Sequence, residues 1–181
     1  MRNEMFIQEF ELAILEQQIG KRLKAYGSAK PGVDLGYFVE EVFVEFEDSL
    51  ITIREEFIRT EVCGEFGEYL SLRVEEGYLS RNEADVAGGV YYFFKGELLH
   101  EVKVHRARLN REQGSGVQSF EHDALVEFKF ESGSLWILKD ELSTPLLRCE
   151  TSKEGELPSL PSPADGWPQT LTDNWTGEWL S

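Results

Sequence analysis

Apolar and polar residues change their period along this chain, and the changes divide it into one helical segment followed by a series of strands. Near the start, Phe6, Ile7, Phe10, Ala13, Ile14 and Leu15 recur at three- and four-residue spacing, the repeat of one helix face. Asn3 stands where an N-cap belongs, Gly20 weakens the far end and Gly27 stops the helix. Gly27 to Gly36, with Pro31 and Gly32, is expected to be a loop.

From Tyr37 the period becomes two. Val42, Val44 and Phe46 alternate with mostly acidic neighbours, Asp48–Ser49 turns the chain, and Leu50 to Arg54 returns it, a hairpin with one buried face. A further strand is expected at Tyr69 to Val74, ended by Glu76–Gly77. Ser80–Arg81–Asn82–Glu83 has capping-box spacing and opens one helical turn before Gly88–Gly89. Val90 to Phe94, Lys95–Gly96 and Glu97 to His105 read as a second hairpin, the glycine suiting the positive φ of a tight turn. Gly114–Ser115–Gly116 is a loop. Leu125 to Glu131, Ser132–Gly133 and Ser134 to Lys139 form the last hairpin.

The outer hairpins echo each other. Val42, Val44 and Phe46 align with Val126, Phe128 and Phe130, and Leu50, Ile53 and Arg54 with Leu135, Leu138 and Lys139 if Gly133 is one inserted residue. Either an internal duplication or the general likeness of alternating hairpins accounts for this. After Cys149, Pro158, Pro161, Pro163 and Pro168 mark an extended tail. The fold class expected is α+β: an N-terminal helix packed on a largely antiparallel β-sheet over residues 1–153, with residues 154–181 an irregular C-terminal tail packed on that domain. Trp167, Trp175 and Trp179 would staple the tail to the sheet or serve as an interface.

At 181 residues and 41% hydrophobic, the chain can bury a sizeable core. Its net charge of −16 argues against a general nucleic-acid binder and against attachment to anionic lipid, because both need excess cation. Val90 to Phe94 is the longest purely apolar run, far below the ~20 residues of a membrane span. The acids among the first residues do not fit a secretory signal, so a cytoplasmic location is expected.

Candidate chemistry is sparse. On a strand, His100 and His105 point to opposite faces and cannot share an ion; with His122 they read as scattered histidines, and no metal site is expected. His105 is placed with Lys103 on the wet side. Cys63 and Cys149 lack Cys-x-x-Cys spacing and read as buried small hydrophobes. Gly114–Ser115–Gly116 lacks the third glycine of a dinucleotide loop. No catalytic residue and no cofactor-binding residue is assigned.

Charge distribution says more. Tyr37 to Glu76 holds twelve acids and three bases, a net of −9, whereas Lys103, Arg106, Arg108 and Arg111 form a locally basic strand. Glu41, Glu45 and Glu47 share one face, and with Asp48, Glu55 and Glu56 they are the candidate partner-binding residues. Such a row speeds encounter with a basic protein and repels nucleic acid; the plainer alternative is a solubilising surface.

Val126-x-Phe128-x-Phe130-Glu131-Ser132-Gly133-Ser134-Leu135-x-Ile137, with its echo at Val44 to Ile53, resembles the short hairpins of small bacterial toxin-immunity proteins, and Ile19–Gly20–Lys21 is similar to the start of some of those domains. The resemblance implies an acidic cytoplasmic protein that neutralises one basic toxin, such as a nuclease, by covering its active site without catalysis. A structural or assembly module using exposed strand edges, and an enzyme with a carboxylate site, are the alternatives.

Overall fold

The computed structural model describes residues 4–28, 37–39, 41–62, 64–77, 90–113, 116–139, 146–153 and 175–180. They form one helix, α1 (Glu9–Glu16), and eleven strands: β1 (Leu23–Gly27), β2 (Tyr37–Val39), β3 (Glu41–Phe46), β4 (Leu50–Val62), β5 (Glu65–Glu76), β6 (Val90–Tyr91), β7 (Glu101–Gln113), β8 (Gly116–Lys129), β9 (Gly133–Lys139), β10 (Leu146–Lys153) and β11 (Trp175–Leu180). A five-stranded sheet runs β5-β4-β3-β1-β6 and a six-stranded sheet β11-β7-β8-β9-β10-β2, with antiparallel pairing throughout. No helix among the described residues is long and apolar enough to cross a membrane.

The period-two hairpins build the core. Val42, Val44, Phe46, Ile51 and Ile53 of the first sheet join Val126, Phe128, Phe130, Leu135 and Ile137 of the second in one buried cluster. Phe46 and Phe128 meet with ring centroids 6.5 Å apart. The apolar face of the first hairpin is therefore covered mainly by the other sheet, where the sequence suggested the helix. Eight helical residues are too few to cover a sheet of five strands; Leu15 enters the core, while Phe10 stays 66% exposed.

The N-terminal segment ties the sheets together. The Ile7 amide donates to Asp123 of β8 at 2.8 Å, and Arg73 of β5 donates to the Glu4 and Phe6 carbonyls at 2.6 and 3.2 Å. Met5, fully buried, joins Val62, Leu109 and Phe120 in a second small core between the long hairpins β4–β5 and β7–β8.

Four expectations are corrected. Gln8, not Asn3, caps the helix, its amide donating to Glu11 at 2.6 Å; Asn3 lies outside the described residues. Residues 23–27 leave the helical pattern for β1, because Leu23, Ala25 and Tyr26 are buried between β3 and β6 and Tyr26 stacks on Tyr91 at 5.5 Å. Val90 to His105 is not a hairpin: β6 pairs with β1, β7 pairs with β8 and β11, and the turn between them carries the chain from one sheet to the other. Phe94 (φ 60) and Gly96 (φ 84) make that crossing, anchored where Phe94 stacks on Phe130 at 5.1 Å. Finally, the tail is not irregular at its end, because β11 pairs with β7 from Trp175↔Arg111 to Leu180↔Arg106. Ser80–Glu83, Trp167 and the tail prolines lie outside the described residues.

The hairpin echo takes a sharper form. Phe46 N–H donates to Ser49 O, and Phe130 N–H to Gly133 O, each at 2.8 Å, so the two turns have equal length and no residue is inserted at Gly133. The alignment shifts by one: Ile51 matches Leu135, Ile53 matches Ile137 and Glu55 matches Lys139. The spatial orders β1-β3-β4-β5 and β7-β8-β9-β10 are both antiparallel, but in the first half β2 intervenes between β1 and β3 and joins the other sheet.

Gly133 has its own reason. A Cβ there would stand 1.9 Å from the Ser152 carbonyl oxygen on β10. Gly133→Ala should force β9 and β10 apart and cost about 1–3 kcal/mol or more in urea unfolding, whereas an unchanged midpoint would show that the strands separate freely.

Candidate functional site

The six candidate acids do not form one row. Val42, Val44 and Phe46 are buried and Glu47 is exposed, as alternation requires, with Glu41 and Glu45 half-buried. Cations of the same sheet already engage several of them: Lys24 lies 3.5 Å from Glu45, Lys21 3.1 Å from Asp48, and Arg73 3.3 Å from Glu56. Lys21 donates to Asp48 and holds its carboxyl below the usual range. Glu41 and Glu47 make no ion pair among the described residues.

Glu55 departs from the set. β4 runs without a break, so residue 55 falls on the inward side with Ile51 and Ile53, and it is 7% exposed. A partner cannot reach it. Its neighbour across the sandwich is Lys139, also 7% exposed, whose ammonium donates to the Leu70 carbonyl at 3.0 Å. Burial pushes the Lys139 pKa down to about 7, while the Glu55 and Asp123 carboxylates pull it upward and Arg73 opposes them.

His122 completes this interior group. It is 3% exposed and stacks on Phe120; its Nε2 is buried and makes no hydrogen bond among the described residues. Burial, reinforced by Lys139, holds its pKa well below the ordinary histidine range. Sequence spacing could not reveal this group, because it draws residues 55, 122, 123 and 139 from three strands.

The basic strand is neutralised where it lies. A β-bulge between His105 and Arg106 shifts the register, setting Arg106 opposite Asp123 and Arg108 opposite Glu121. Arg106 Nε donates to Asp123 at 3.0 Å, and Arg108 donates to Glu121 at 2.7 and 3.0 Å. Beside them a groove of about 760 Å³ opens between α1 and β7, with Ile7, Leu12, Leu15, Val102 and Val104 as its floor. Its rim carries Arg106 and Arg108 against Glu16, Glu121 and Asp123. With three acids to two bases, it holds no excess positive charge for an anion.

His105 lies on the face of Lys103, opposite Val102 and Val104, as expected, but it is partly covered there. It lies 2.9 Å from Glu127 and against the Trp136 ring, and Ser134 donates to the same carboxylate at 2.9 Å. Burial raises the Glu127 pKa, but these hydrogen bonds overcome it and leave the carboxyl acidic. No group of three or more metal-ligating side chains occurs among the described residues. Cys149 packs against the core with its thiol pKa raised by burial, the opposite of a reactive thiolate; Cys63 lies outside the described residues.

A second set of acids escaped the sequence reading. On β4 and β5, Glu61, Glu68 and Glu76 are exposed and make no ion pair among the described residues, whereas Arg54 and Arg73 are spent on Glu75, Glu56 and Glu11. Phe57 and Phe66 stand among them, 52% and 68% exposed. The signal was present as a long alternating run, but only pairing shows which side of the ribbon stays open.

No family model, no curated protein and no solved structure matches this chain.

Two outcomes follow from the interior charges. Glu55→Leu alone should destabilise the fold by leaving Asp123 as the remaining carboxylate acting on buried Lys139, and adding Lys139→Met should recover most of that loss in urea unfolding. Equal losses in the single and double variants would show that the two groups do not interact. For His122 the depressed pKa means that the unfolded chain takes up a proton below about pH 6.5 while the folded chain does not. Stability should therefore fall with pH below that value, by up to about 1.4 kcal/mol per pH unit. His122→Phe should flatten that part of the profile, and an unchanged slope would exclude His122 as its source.

Proposed function

We propose that this chain is a non-enzymatic acidic binding protein whose partner is a basic protein, acting as an inhibitor of the immunity type. The observation that carries this reading is the unequal use of charge on the first sheet. Arg54 and Arg73 are spent on acids of the sheet and of the helix and Arg59 packs on the Phe66 ring, while Glu41, Glu47, Glu61, Glu68 and Glu76 have no ion-pair partner among the described residues. Unpaired surface carboxylates repel one another, and a basic partner relieves that repulsion while the field they create accelerates encounter.

The experiment is capture from the source cells at low and high salt, followed by measurement of association rates. One basic protein should be recovered near one-to-one and more weakly at high salt. Glu47→Lys with Glu76→Lys should slow its association about tenfold and reduce the salt dependence. No partner at either salt, or an association rate indifferent to both substitutions, overturns the reading; a chain that only self-associates would be an assembly module.

A further inference from the structure

Residues 4–8 belong to neither sheet, yet they tie the two together. From one side Ser71 and Arg73 of β5 donate to the Glu4 carbonyl at 3.1 and 2.6 Å, and Arg73 also reaches the Phe6 carbonyl at 3.2 Å. From the other side Asp123 of β8 holds the segment twice. Its N–H donates to the Met5 carbonyl at 3.2 Å, and its carboxylate accepts from the Ile7 N–H at 2.8 Å. The Arg106 guanidinium of β7 lies over the Phe6 ring, 4.0 Å from its centroid. Met5 and Ile7 are the buried apolar side chains of the segment, and Phe6 is half-buried. Held by a handful of polar contacts and two buried side chains, such a strap opens at a much lower free energy than the ladders it joins.

The small core that the strap closes contains a histidine with a bare nitrogen. Met5 packs with Val62, Leu109 and Phe120, and His122 stacks on Phe120 with ring centroids 6.1 Å apart. The Nδ1 of His122 stands 3.4 Å from the Asp123 carbonyl oxygen, which only accepts, so Nδ1 carries the proton and Nε2 keeps the lone pair. That Nε2 is buried and has no hydrogen-bond partner among the described residues. A proton placed there in the closed fold would find no acceptor and would add charge beside Lys139 of β9. Lys139 is itself faced by Glu55 of β4, Asp123 of β8 and Arg73 of β5, and Asp123 is engaged by Arg106 of β7.

We infer that residues 4–7 form an acid-released strap: lifting them from β5 and β8 admits water to His122 Nε2, and proton uptake there holds the strap open. Sensor and anchor are consecutive residues, since Asp123 grips Met5 and Ile7 while His122 lies against Phe120, in the core that Met5 completes. The open form binds the proton better than the closed form. The advantage of the closed form is therefore complete above about pH 7 and falls as the pH drops through the ordinary histidine range. Release uncovers Met5, Leu109 and Phe120 without unpairing β4 from β5 or β7 from β8. This device is independent of the acidic surface and needs no partner.

Amide hydrogen exchange on the full chain at pH 7, 6 and 5 reads the opening, each rate being divided by its intrinsic value at that pH. Ile7 and Asp123 should be far less protected than Ile53 and Val126, which lie in the central ladders. Their protection should fall by up to about 25-fold between pH 7 and pH 5. Ser71→Ala removes one anchor and should lower protection at Ile7 about fivefold at every pH, leaving the pH dependence in place. His122→Phe keeps a ring against Phe120 and should abolish that dependence. Protection at Ile7 that matches the central ladders, or that does not change with pH, overturns the strap. A pH dependence that survives His122→Phe also overturns it, by assigning the proton to the carboxylates of Asp123 or Glu11. The first two readouts need no change at His122, so they decide the matter even where that variant does not fold.

Discussion

The mutual burial of two hairpin faces holds this protein together: Val42, Val44, Phe46, Ile51 and Ile53 against Val126, Phe128, Phe130, Leu135 and Ile137. Each face alternates with polar residues at period two, so neither hairpin can bury its apolar side alone. Once they are opposed, the remaining placements follow. β1 and β5 extend one sheet, β7 and β10 the other, and the short helix is left to close a flank. The N-terminal segment then pins the long ribbons through Arg73 and Asp123, at the one level where the apolar core gives way to charge.

That change of character explains why the candidate acids separate. Alternation along β4 carries Ile51, Ile53 and Glu55 inward, and nothing in the local sequence marks the third as different from the acids beside it. Its partner is 84 positions away, at the matching place in the other hairpin. By contrast, Glu56 and Arg54 on the opposite side of the same strand reach Arg73 and Glu75, an ion-pair ladder that spends the cations of this sheet. The surplus carboxylates are displaced to the two ends of the ribbon.

The sequence was legible where one period dominated. The turn at Asp48–Ser49, the strand ending at Glu76–Gly77 and the hairpin through Ser132–Gly133 all lie where alternation and turn chemistry place them. It was less legible where tertiary contacts overrode local pattern. Leu23 to Gly27 follows a helix and carries Lys24 among its apolar residues, yet burial beside β3 makes it a strand. Val90 to Phe94 has ideal strand composition, but Phe94 is needed as an anchor on Phe130 and the run is cut after two paired residues. The acidic excess of the first sheet was legible in the sequence. The open ribbon end and the interior group were not, because both depend on where the opposing sheet stops.

The matched positions of Glu55 and Lys139 also govern how the halves of the chain recognise each other. Two hairpins of such similar apolar pattern could pair like with like between neighbouring chains during synthesis. A Glu55 half meeting another Glu55 half would bury two negative charges together, and two Lys139 halves would bury two positive ones, each at a cost of several kcal/mol. Only the unlike pairing brings opposite charges together in the interior. The opposite signs at these matched positions thus favour the unlike pairing, while the apolar side chains supply the attraction.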